Sequence, residues 1–267
     1  MMSHQISGSM ATEALSAQPV FVLGVAHCGS TLLGRMLNMH RSVFFVGELA
    51  RIDRCLKGHQ PCRCGEPLSR CPYWSRFLPE IESRAGYDFR RFSPDLYRRI
   101  GELCGKAFIV DTSKTRVYRM ARWWVNGGEK YIFLVRDPRG ALTSAVSRGN
   151  NLKRALRKNK KWTARLDRFV KKQRERGLRV YYEDLATDPE SVLRSICRFL
   201  GLDFAPEMLR PADKIHHFVS GSVSPYLKDS NEIRLDERWR SALSPDEIKL
   251  IERKMTRVEV FRSRYLT

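Results

Sequence analysis

The stretch that most constrains this chain is VFVLGVAHCGSTLL (20–33). Its first six residues are apolar and rich in Val, the pattern of a strand buried on both faces in a parallel sheet. The run passes without a linker into a glycine turn and then a helix, TLLGRMLNMH (31–40), with Leu32, Leu33, Met36, Leu37 and Met39 as apolar positions. The order is strand, tight turn, helix. Further strands are expected at VFFV (43–46), AFIVD (107–111), YIFLVR (131–136) and LRVYY (178–182), with helix-like segments between them. PESVLRSICRFLGL (189–202) is a helix capped by Asp188, with Pro189 at its first position and Gly201 at its end. Strands separated by helices imply an α/β fold, a single P-loop-like domain with a central parallel sheet flanked by helices. No repeat of 20–50 residues and no dividing linker interrupts it. Residues 1–19 are expected as a flexible tail and 20–267 as the domain, with an irregular Cys-containing insertion at 51–100 and a basic helix at 151–177.

Charge narrows the partners. Among 267 residues, 49 Lys and Arg face 29 Asp and Glu, a formal net charge of +20. An anionic partner is implied, whether nucleic acid, nucleotide, acidic glycan or peptide, or lipid surface. The 42% hydrophobic content excludes a wholly disordered chain. No apolar run approaches the length of a membrane span, and the polar first 19 residues lack the apolar core of a signal peptide. Residues 151–180 hold 13 Lys and Arg against Asp167 and Glu175, with Leu152, Leu156, Trp162, Leu166, Phe169 and Val170 at roughly helical spacing. The segment reads as a helix docked on its apolar stripe, or as a landing surface for an acidic substrate or membrane lipid.

Seven cysteines, an odd number, together with the missing signal peptide favour a reducing, cytoplasmic setting. Cys55, Cys62, Cys64 and Cys71 cluster in CLKGHQPCRCGEPLSRCPYW (55–74). A C-x-C-G followed by another Cys suits a structural zinc held by thiolates, although the spacing is not a common finger pattern. A redox-labile disulfide and plain buried thiols are the alternatives.

The turn AHCGST (26–31) carries chemistry. Glycine lets the backbone approach a ligand, and the N–H groups of Gly29, Ser30, Thr31 and Leu32 at a helix N-terminus suit phosphate. A Walker A loop needs Lys before the hydroxyl residue, and Gly29 stands there with Cys28 before it. A second constellation follows YIFLV. Arg136 stands at the carboxyl end of an expected central strand, where open α/β sheets bind ligands. Ser144 and Arg148 lie further along the next helix, and the three side chains suit one more phosphate. Two phosphate sites on one sheet suggest a nucleotide phosphorylated at both ends.

These residues resemble two motifs of sulfotransferases that use 3′-phosphoadenosine 5′-phosphosulfate (PAPS): the 5′-phosphosulfate loop, here HCGSTLL (27–33), and an Arg followed eight residues later by Ser, here Arg136 and Ser144. VYYEDLATDPESVLRSICRFLGL (180–202) is similar to a third segment of bacterial and Golgi-type members. CRCG, CPYW and DTSK (111–114) also resemble a bacterial branch. The resemblance covers residues 20 to about 240.

It implies in-line transfer of a sulfuryl group from PAPS to a hydroxyl or amine, with PAP leaving and no metal required. By analogy with phosphoryl transfer, positioning and charge neutralisation carry the catalysis. It implies Glu48 as base, similar to the Glu of protein-tyrosine sulfotransferases, with a pKa raised by partial burial. His40, His59, His216 and His217 are rival bases. It implies that Lys114 neutralises the sulfuryl group or bridging oxygen, with Asp111 orienting it or the acceptor. His27 stands where the family has Arg or Lys, and a bound polyanion is expected to raise its pKa so that it acts as a cation. Cys28 is a further nucleotide contact, and Tyr182 lies against the nucleotide or packs in the core. The family's late loop is here GSVSPYLK (221–228), with Lys228 or Ser222 replacing its Arg.

The acceptor is expected to contact 51–100 and 150–176 and to be acidic or lipid-linked, with peripheral membrane contact. The rivals are a kinase-like nucleotide-dependent transferase and a nucleic-acid-binding or anionic-surface-binding protein using the basic helix. No finger, RRM or helix-turn-helix pattern supports specific nucleic-acid binding.

Overall fold

A computed structural model describes residues 17–121, 128–221 and 230–266. Five strands form one all-parallel sheet: β1 (Gln18–Leu23), β2 (Val43–Gly47), β3 (Phe108–Asp111), β4 (Lys130–Val135) and β5 (Gly177–Tyr181). Their order is β2-β3-β1-β4-β5, so β1 is central. The strand order reverses around β1: β2 and β3 lie on one side, β4 and β5 on the other. Such a switch point opens a crevice at the carboxyl ends of the strands.

Helices alternate with the strands: α1 (Ser30–Leu37), α2 (Ile52–Lys57), α3 (Trp74–Ala85), α4 (Pro94–Cys104), α5 (Thr115–Ala121), α6 (Pro138–Val146), α7 (Leu152–Lys172), α8 (Tyr182–Thr187), α9 (Pro189–Leu200), α10 (Trp239–Ala242), α11 (Pro245–Met255) and α12 (Glu259–Tyr265). Alternation along β1 feeds two cores. Phe21 and Leu23 join a layer with α3, α4 and α7, while Val20 and Val22 join one with α1 and α9.

Three local expectations change. The first strand starts at Gln18, inside the expected tail, because Gln18 pairs with Phe108 of β3; residues 1–16 lie outside the described residues. The insertion, expected to be irregular with short helices, holds α2, α3 and α4 over much of 51–104, and Trp74 and Phe77 pack edge-on within the core. The basic helix ends at Lys172. Its Leu156, Trp162, Leu166 and Val170 are buried, and α7 packs on α6, β4 and β5. That apolar stripe is covered by the protein's own core, which leaves the basic face, not an amphipathic one, for partners.

Candidate active site

The phosphate turn joins β1 to α1. Gly29 caps α1 with φ 91°, a left-handed conformation that favours glycine. A Cβ at Gly29 would stand 2.5 Å from the Tyr182 ring, so the sequence needs glycine here twice over. Ser30 opens α1, placing the positive end of the helix at the crevice. Arg136, directly after β4, closes the turn from the other side. Its Nη1 donates to the His27 carbonyl (2.8 Å), Nη2 donates to Asp236 Oδ2 (2.9 Å), and the guanidinium lies 4.3 Å from the centre of the Tyr182 ring. Bidentate-capable Arg and an aromatic face thus hold one another in place.

A cavity of about 350 Å³ opens at this turn. His27, Gly29, Ser30, Thr31, Leu32, Lys114, Arg136, Ser144, Arg148 and Tyr182 all line it. Nine of the ten expected nucleotide contacts are therefore brought together. The tenth, Cys28, is not: its side chain is fully buried in the core, which leaves only its backbone at the turn. The segment Glu232–Arg238 forms the remaining wall.

A larger cavity, about 1100 Å³, adjoins the first. The two share His27, Lys114 and Arg148. Glu48 lines only the larger one. Its carboxylate bonds Lys114 Nζ through Oε1 (2.5 Å) and pairs with Arg51 Nε through Oε2 (2.5 Å). The corner that presents Glu48 is nonlocal. Gly47 has φ 85° and bridges to Val219, and a Cβ there would stand 2.1 Å from the Val219 carbonyl oxygen. The Glu48 N–H donates to that same carbonyl (2.9 Å), and the Thr112 N–H donates to the Gly47 carbonyl (2.8 Å).

The electrostatics correct the expectation for Glu48. Burial alone would raise the Glu48 pKa, but the Lys114 ammonium and Arg51 guanidinium outweigh it and hold the carboxyl below its usual range. The protein's own groups act on His27 in the other direction from the expected effect of a bound polyanion. Burial, with Arg148, Lys114 and Arg136 nearby, lowers its pKa to about 4, and its Nδ1 accepts from Arg148 Nη1. Asp111 orients neither Lys114 nor an acceptor. It is fully buried, accepts from Tyr97 Oη (2.7 Å) and from the Ser113 N–H (2.5 Å), and burial raises its pKa to about 6.

The rival bases lie elsewhere. His40 Nδ1 accepts from the Ser42 N–H (3.1 Å), and His59 sits beyond α2 in the insertion. His216 is buried, its Nε2 donating to the Pro211 carbonyl (2.6 Å) and its Nδ1 accepting from Asn38 Nδ2 (2.9 Å). Burial lowers its pKa to about 4. His217 faces Cys71. None of the four lines either cavity. The cysteine cluster is also regrouped. Cys62, Cys64 and Cys71 stand with His217, whereas the Cys55 thiol donates to Gln60 Oε1 (3.3 Å) outside that group. The expected Ser222 and Lys228 lie outside the described residues.

The larger cavity draws on the expected segments through Arg51, Phe89, Arg154, Lys158 and Trp162. Sequence reasoning missed Arg116 and Arg119 of α5, the Arg51 clasp on Glu48, and Asp236. Nothing in their local sequence separates these from solvated charges.

A parallel sheet with this order and a glycine anion-binding turn after its central strand define a P-loop-like α/β protein. The profile described as "Sulfotransferase family" matches residues 128–206, which span β4 to α9. Protein-tyrosine sulfotransferase 2 of Gallus gallus is 28% identical over 228 residues, covering 80% of this chain and 59% of that protein. The solved sulfotransferase domain from the curacin biosynthetic pathway superposes with a TM-score of 0.60 at 24% identity, covering 90% of this chain and 98% of that one. Mouse sulfotransferase SULT7A1, solved with PAP, gives 0.52 at 14% identity over 98% of this chain and 95% of that one. The chain is thus similar to sulfotransferases in fold, in the matched segment from β4 to α9, and at 28% identity to a protein-tyrosine sulfotransferase. It spans roughly half the length of the curated relatives it matches, 59% of the chicken protein, 54% of protein-tyrosine sulfotransferase A of Caenorhabditis elegans and 44% of the Drosophila melanogaster protein-tyrosine sulfotransferase.

Proposed function

We propose that this chain transfers a sulfuryl group from PAPS to a hydroxyl or amine acceptor. The observation that carries the reading is the junction of the two cavities. One is lined by the phosphate turn, Arg136, Ser144 and Arg148, the other by Glu48, and His27, Lys114 and Arg148 form their common wall. A donor on one side and an acceptor on the other would meet at Lys114.

The residues fit such a donor. Gly29 lets the turn take its left-handed conformation against the Tyr182 ring, the α1 N-terminus supplies N–H donors, and Arg136, Arg148 and Lys114 supply three cations. Bound there, PAPS supplies an activated sulfuryl group whose leaving oxygen belongs to a phosphate. Gly29, Ser30, Thr31 and Leu32 hold the 5′-phosphate. Arg136, Ser144 and Arg148 take the 3′-phosphate, with Tyr182 fixing the Arg136 plane. His27, neutral, contributes its carbonyl to Arg136 and its ring to Arg148, so it acts as a positioning residue.

Glu48 takes the acceptor proton. Its ion pairs keep it ionised at neutral pH, the state a base needs, but also weaken it as a base. Lys114, on the wall common to both cavities and bonded to Glu48, would neutralise charge on the leaving oxygen, and losing that partner would make Glu48 a stronger base. The acceptor is acidic in this reading: Arg51, Lys114, Arg116, Arg119, Arg148, Arg154 and Lys158 line the larger cavity against one acid, Glu48.

Calorimetric titration with PAP in the absence of magnesium tests the reading. We expect micromolar binding to the wild type and at least tenfold weaker binding to Arg136→Ala. Binding only to a magnesium nucleoside triphosphate would replace the proposal with the kinase-like transferase. Binding to neither would remove both.

A further inference from the structure

Outside both cavities, the fold gathers four metal-ligating side chains from distant parts of the chain. Cys62, Cys64 and Cys71 come from the segment between α2 and α3, and His217 lies 146 residues beyond Cys71. Their ligand atoms all lie within 4.8 Å of one another. The Cys71 and Cys62 sulfurs are 3.6 Å apart, and Cys71 Sγ is 3.4 Å from His217 Nδ1. Zn–S bonds near 2.3 Å and Zn–N bonds near 2.0–2.1 Å place tetrahedral ligand atoms roughly 3.5–3.8 Å apart. The group is therefore already close to the size of a zinc tetrahedron. Three thiols and one imidazole are a donor set for zinc, not for calcium or magnesium.

We propose that Cys62, Cys64, Cys71 and His217 bind one structural zinc ion. Four protein ligands leave no open position, so the ion takes no part in the reaction. The protein scaffolds the site from both sides. The Gly65 N–H donates to the Cys62 carbonyl (2.9 Å) and the Cys62 N–H to the Glu66 carbonyl (2.8 Å), closing a tight turn with Gly65 at φ 98°. The Arg63 N–H donates to the Phe218 carbonyl (3.1 Å), and Trp74 Nε1 donates to the His217 carbonyl (3.2 Å). The C-x-C turn and residues 217–218 are thus joined even without the ion.

The location gives the site its use. His217 stands two residues before Val219, the residue that bridges Gly47 and accepts from the Glu48 N–H. Zinc would clamp the insertion to the segment that sets the Glu48 corner. On binding, Zn²⁺ displaces a proton from each of three thiols and takes the lone pair of Nδ1 of a neutral imidazole. Up to about three protons are released and the site keeps one net negative charge.

Elemental analysis of protein purified from zinc-replete cells without chelator tests this. About one zinc per chain is expected, falling at least tenfold in Cys71→Ser and His217→Ala and staying near one in Cys55→Ser. Should the ligand variants fail to fold, cobalt loading of the wild type gives the answer: thiolate charge-transfer and tetrahedral ligand-field bands are expected. Wild-type protein with less than about a tenth of a zinc per chain and no such cobalt spectrum would overturn the proposal. So would a Cys62–Cys71 disulfide found by non-reducing peptide mapping, or loss of the metal in Cys55→Ser.

Discussion

The phosphate turn and the Glu48 corner stand at the carboxyl edge of one sheet, with β3 between β1 and β2, yet they are built in different ways. The turn is one continuous run, residues 24–33, braced from outside by Tyr182 and Arg136. The corner is assembled from pieces: Gly47 on β2, Thr112 and Lys114 beyond β3, Arg51 before α2, and Val219 from the far end of the chain. The turn itself offers N–H and hydroxyl donors, and the cation that braces it, Arg136, is paired with Asp236. The corner holds a single carboxylate between two cations. A locally encoded anion cradle is a matter of backbone geometry, whereas an acid held in a basic cavity depends on which distant cations reach it.

The largest expected effect separates the two. Glu48→Gln should lower kcat by about 10²–10⁴ while PAP affinity changes less than about threefold, a shift well under 1 kcal/mol. Steady-state transfer assays with calorimetry on the same variant check this, and an equal loss of PAP binding would merge the regions.

The paired glycines come next. Gly29→Ala must place a Cβ against Tyr182 in a left-handed backbone, at a cost of about 1–2 kcal/mol before the clash is counted. PAP affinity should fall tenfold or more. Gly47→Ala meets backbone at Val219 instead of a ring that can tilt. Its Tm should fall further, and activity should drop while PAP still binds. Thermal melts run beside PAP titration distinguish the pair, and swapped phenotypes would break the comparison.

Third is pH. Because Lys114 and Arg51 hold Glu48 below the usual carboxylate range, the acid limb of kcat/KM should lie below that range in the wild type. Removing the cation in Lys114→Ala lets burial act, and the limb should move up in pH. A limb that stays in place would detach Glu48 from the profile.

Fourth, His216 should sensitise the fold to acid. Its folded pKa, about 4, lies below the usual 6.5, so the unfolded chain binds more protons between those values. Its contribution is present above pH 6.5 and lost as pH falls toward 4. Asp111, raised to about 6, works in the opposite sense, contributing most at low pH and losing it as pH rises through 6. The Tm of His216→Gln should therefore fall less steeply than the wild type's between pH 6.5 and 4. The smallest effect is expected at Asp236, whose carboxylate occupies Arg136 beside the anion site. Asp236→Asn should tighten PAP binding by a few-fold, read by the same titration.

Legibility followed the same divide. The five strands and the helix at 189–200 were readable because their apolar runs are long and their caps are side chains of neighbouring residues. Nine of the expected residues line one cavity; five of them sit within a single motif at 27–32, while Arg136, Ser144, Arg148 and Tyr182 come from later elements. Cys28 was misplaced because sequence order cannot say that its thiol turns into the core while its neighbours face the cavity. Cys55 was grouped with the wrong partners for a similar reason: four cysteines close in sequence look alike, and the fourth ligand of that cluster is a histidine from the other end of the domain.

By itself the sequence determined the parallel sheet and the glycine turn after its central strand, since each depends on propensity, spacing and glycine geometry within a few positions. Only the tertiary structure decided the charge states. Whether Glu48 and His27 are ionised depends on burial and on cations brought from elsewhere in the chain, Lys114 and Arg51 for the one, Arg148, Lys114 and Arg136 for the other. It also decided where the two cavities meet, because that place exists only once the strands lie side by side.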